Sequence, residues 1–85
     1  MITRQTVGQK LEAYLNGEIT LVELVDWAET AMVDAELEEG YDKLIFDILA
    51  RIGTADVESF RLYWDDITNM LEKLGYRVNV ELVAA

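Results

Sequence analysis

The sequence predicts a small, mainly α-helical domain: a bundle of three to four helices with one short C-terminal β-strand over about residues 76–83. Three observations lead there. Apolar residues recur at helical spacing in four segments, helix start and stop signals bracket those segments, and the hydrophobic period switches to two after Gly75. Eighty-five residues leave room for a single domain.

The first segment runs from about Arg4 to Leu15, with Val7, Leu11, Tyr14 and Leu15 on one face and Asn16-Gly17 as its stop. The second has the clearest start in the chain. Thr20 and Glu23 have the spacing of a capping box, and Ile19 and Leu24 can form the hydrophobic staple that goes with it. Leu21, Leu24, Val25, Ala28, Ala31 and Met32 then make one stripe, opposite Glu23, Asp26, Glu29 and Thr30.

In the third segment Leu37, Tyr41, Leu44, Ile45, Ile48, Leu49 and Ile52 share one helical phase, with Asp34 a candidate N-cap and Gly53 a candidate stop. Gly40 interrupts that phase, so the helix can begin at Ala35 or only near Tyr41. Its stripe is the most apolar, which makes it the expected central element. The fourth segment, about Tyr63 to Leu74, buries Ile67, Met70, Leu71 and Leu74, with Trp64 expected at the core rim. Gly75 suits a Schellman stop that would bring Tyr76 to Leu71. Beyond it Tyr76, Val78, Val80 and Leu82 alternate with polar residues as in a half-buried strand. Such a strand needs a partner, either Glu58–Leu62 or the same strand of a second copy in a homodimer.

Composition removes much chemistry. No cysteine and no histidine occur. Disulfides, thiolate nucleophiles, histidine general bases and histidine-ligated metals are therefore excluded. No apolar run is long enough for a membrane span or a signal-peptide core, and a cytoplasmic location is expected. The net charge is −10, and it is concentrated: residues 18–42 hold nine acids and no Lys or Arg. Nucleic-acid binding needs a basic footprint and is disfavoured, whereas a basic protein partner is favoured.

The candidate partner-binding residues are Glu29, Asp34, Glu36, Glu38, Glu39 and Asp42, with Trp27 and Phe46 as aromatic neighbours. Exposed aromatic side chains beside charge are typical of interface hot spots. Each has a plainer reading. Glu36, Glu38 and Glu39 would fall in the first turn of a helix starting at Ala35, where they complement its dipole. Trp27 lies at the edge of its stripe and can be covered. Phe46 points roughly 120° from the centre of its stripe, at about 100° per residue. The adjacent pairs Glu38-Glu39 and Asp65-Asp66 make no acid–base dyad, since neighbours on a helix do not face each other. No catalytic residue, cofactor or metal site is expected, and no calcium-loop pattern is present.

A small acidic helical protein also invites comparison with acyl carriers. The stretch Leu21-Val22-Glu23-Leu24-Val25 is similar to the helix that follows the carrier's modified serine. Asn16-Gly17-Glu18-Ile19-Thr20 stands where the Asp-Ser-Leu motif belongs, and the single serine is Ser59. That reading fails.

The run from Leu11 to Glu29 resembles the first helical hairpin of small bacterial immunity proteins of the colicin D immunity type. The resemblance implies a compact acidic helical protein whose carboxylates cover the active site of a tRNA-cleaving toxin. The matching positions are caps and core, so it assigns no binding residue. The expected function is non-enzymatic binding of a basic macromolecule, of the immunity, antitoxin or inhibitor kind. The alternative is a homo-oligomerising structural or accessory domain.

Overall fold

Local capping decides where the helices start and stop. The structure, a computed structural model, describes residues 1–57 and 61–78. Those residues form four helices: α1 (Arg4–Leu15), α2 (Leu21–Asp34), α3 (Asp42–Gly53) and α4 (Trp64–Lys73). The chain is a small, mainly α-helical bundle.

Thr20 caps α2 as its spacing predicts. Its hydroxyl accepts the Glu23 N–H at 3.2 Å, and the Glu23 carboxylate accepts the Thr20 N–H at 3.1 Å. Thr3 and Thr6 do the same for α1, with a threonine hydroxyl in the place usually taken by Glu or Gln. Asp66 accepts the Tyr63 N–H at 3.0 Å and so ties the entry to α4. Gly17 and Gly75 both adopt positive φ. At α4 the Gly75 N–H donates to Glu72 O (3.0 Å) and the Tyr76 N–H to Leu71 O (2.9 Å), which is the expected Schellman pair.

Of the two starts open to the third segment, the structure takes the later one, near Tyr41. Asp34 ends α2 instead of capping α3, and α3 begins only at Asp42. Leu37 keeps its helical phase by coincidence. It pairs with Ile2 in a parallel β-bridge, in which the Ile2 N–H donates to Glu36 O (2.7 Å) and the Glu38 N–H to Ile2 O (2.9 Å). Gly40, at φ 85°, then turns the chain, and the Tyr41 N–H closes the turn on Glu38 O at 3.1 Å. Glu36, Glu38 and Glu39 are therefore in a connection, and the first-turn dipole explanation does not apply to them.

The core follows the predicted stripes: Val7 and Leu11 from α1, Leu24, Val25, Ala28 and Ala31 from α2, Ile45, Ile48, Leu49 and Ile52 from α3, and Ile67, Met70 and Leu71 from α4. α2 packs most extensively against α3, α1 packs on both α2 and α4, and the Arg51–Asp66 pair ties α3 to α4. Trp64 is half-exposed, further out than a core-rim position. Of the expected strand, residues 76–78 carry no strand pairing, and 79–83 lie outside the described residues, as does most of its candidate partner Glu58–Leu62.

Candidate docking surface

The acid-rich segment divides into carboxylates that the fold consumes and carboxylates that it leaves free. Glu23 is consumed by the α2 cap. Glu38 is consumed more completely. Arg4, the first residue of α1, donates its backbone N–H to Glu38 Oε1 at 3.2 Å. Its guanidinium grips both oxygens, Nε to Oε1 at 3.0 Å and an Nη to Oε2 at 3.5 Å. This fork geometry suits arginine and carboxylate. The Tyr41 ring stacks on the guanidinium, 3.6 Å from its centroid. Hydrogen bonds from the Arg4 side chain, and then from its backbone, hold the Glu38 carboxyl below the ordinary carboxylate range. Glu38 thus caps α1 from 34 residues away, and in this arrangement its carboxylate already has an internal cation.

Glu29, Glu36, Glu39 and Asp42 are exposed, as are Glu18 and Asp26. Among the described residues the ion pairs are Arg4–Glu38, Lys43–Asp47 and Arg51–Asp66, so none of these six carboxylates is neutralised by one. Asp34 closes α2, and its side chain is outside the described part. Asp42 opens α3, and Phe46 stands one turn further on the same side of that helix. Phe46 is 47% exposed, so its oblique angle to the stripe does leave it facing outward. Trp27 is different. It is half-buried, packs against the core, and has the Lys10 ammonium 5.7 Å from its ring. The structure therefore brings Glu36, Glu39, Asp42 and Phe46 into one connection and the helix turn that follows it. Trp27 is largely withdrawn from that surface.

Tyr41, 40% exposed and stacked on Arg4, was read from the sequence only as a stripe residue near one of two candidate starts of α3. Its place at the N-cap follows the break at Gly40, but its stacking on Arg4 gave no signal. No group of three or more acids among the described residues could hold a metal ion, and no described helix is long and apolar enough to cross a membrane. No family model, curated protein or solved structure matches the chain.

Proposed function

We propose that the protein is a non-enzymatic binding protein of the immunity, antitoxin or inhibitor kind, docking a basic macromolecule through the α2–α3 connection and the start of α3. The observation that carries this reading is the pairing of Asp42 with Phe46. An acid and a half-exposed aromatic ring stand one turn apart, just after the exposed Glu36 and Glu39 in the chain. Carboxylates without an internal cation steer a basic partner, and an aromatic side chain anchors it once docked. The resemblance of residues 11–29 to immunity proteins of the colicin D type supports the kind of partner.

The test begins with pull-down from the native host to obtain the partner. Reversing Glu36, Glu39 and Asp42 to Lys should slow association by at least about tenfold at low salt, with the gap narrowing as salt rises. Phe46→Ala should chiefly speed dissociation. Asp65 and Glu72, both exposed on α4, are the matched control. Asp66 is unsuitable because it caps α4 and pairs with Arg51. Unchanged rates in the triple reversal, or recovery of no basic partner, overturn the proposal. A concentration-dependent mass in light scattering would then favour the homo-oligomer.

A further inference from the structure

We propose that residues 2–4 form a strap across the α2–α3 connection, opening as one unit without unfolding the core and so setting how many carboxylates that connection presents. Six interactions join the two segments within a few residues. They are the two backbone bonds of the Ile2–Leu37 bridge, the Arg4 N–H to Glu38, the two guanidinium bonds to Glu38, and the Tyr41 stack. They are interlocked through Glu38, whose N–H donates to Ile2 while its carboxylate holds both the backbone and the side chain of Arg4.

The strap is separable because of what it lacks. No residue from Ala35 to Tyr41 is fully buried, and Ile2 and Arg4 are only half-buried. A few residues further on, Ile45, Leu49 and Ile52 are completely buried. Local openings are drawn from regions with few fully buried apolar contacts; here Ile2, Ala35 and Leu37 pack against the core while only partly buried, whereas the adjoining helix is buried outright. When closed, Arg4 neutralises Glu38. When open, Glu38 becomes a free carboxylate beside Glu36, Glu39 and Asp42. The strap stands without the proposed docking function; the consequence for a partner rests on it.

Residue-resolved hydrogen exchange on the intact chain tests this. The Ile2, Arg4 and Glu38 amides should share one protection factor within about twofold, far below that of Leu49 in α3. In Arg4→Gln all three should exchange at least about tenfold faster, with Leu49 changed less than about twofold. A second measurement needs no variant. Low urea should barely alter exchange at the three amides while accelerating Leu49 along the global unfolding slope. Equal acceleration of Leu49 and the strap amides in the variant overturns the proposal. So do unequal protection among the three, no acceleration in the variant, or a shared urea dependence.

Discussion

The Tyr76 ring occupies the space that a side chain on Gly8 would need: a Cβ there would stand 2.6 Å from the tyrosine hydroxyl oxygen. Gly8 is buried in the middle of α1, and the Tyr76 hydroxyl reaches Gln5 O at 3.4 Å. The Schellman turn at Gly75 delivers the ring to this point, so the end of α4 is fastened to α1 through the one α1 position without a Cβ.

Gly8→Ala therefore has two opposing effects. Alanine favours the helix by about 1 kcal/mol, while displacement of the ring forfeits its packing. In a Tyr76→Ala background only the first effect remains, so Gly8→Ala should stabilise there by about 1 kcal/mol. In the wild type it should give no such gain. Urea melts of the four proteins give the coupling, expected at about 0.5 kcal/mol or more. Additive effects would mean the ring does not rest on Gly8.

Glu38 predicts an acid dependence. Its folded-state carboxyl is lowered, so the stability it confers is complete above the ordinary carboxylate value and is lost as pH falls through the lowered one. Glu38→Gln should be less stable than wild type near neutrality, and the two should converge in acid. Titration of the Glu38 carboxyl carbon by NMR reads the lowered value directly. A midpoint at the ordinary position would contradict the Arg4 pairing.

The α2 start should depend on its cap. Thr20→Ala removes the acceptor for the Glu23 N–H and should destabilise by about 1 kcal/mol in urea unfolding. Glu23→Ala, which removes the reciprocal bond to an exposed N–H, should have a smaller effect.

At α4 the two neighbouring aspartates should behave unequally. Asp66→Ala loses both the Tyr63 N–H bond and the Arg51 pair and should cost about 1 kcal/mol or more. Asp65→Ala, on an exposed side chain, should stay within about 0.5 kcal/mol. Equal effects in urea melts would mean that Asp66 does not cap α4.

What could be seen in the sequence was what is local. The Thr20–Glu23 box and the Gly17 and Gly75 stops act over three to five residues, so they appear as spacings. The core stripes appear because burial on a helix is periodic. Leu37 shows how that signal misleads, because an apolar residue that satisfies itself by pairing with Ile2 can fall by chance in the phase of the helix beyond it. The charge count was legible too, but the state of each carboxylate was not. Glu38 and Glu39 are adjacent and chemically alike, and only the fold places Arg4 against one of them. Gly8 gave no signal, since its reason lies 68 residues away in Tyr76.

The bridge between Ile2 and Leu37 also fixes an orientation that matters at the bench. Because the first residues are stitched to the α2–α3 connection, an affinity tag or surface linker attached at Met1 emerges at the Glu36 end of that connection. A chain immobilised by that end would shield the acidic face, and a cationic tag would sit against it as an artificial counterion.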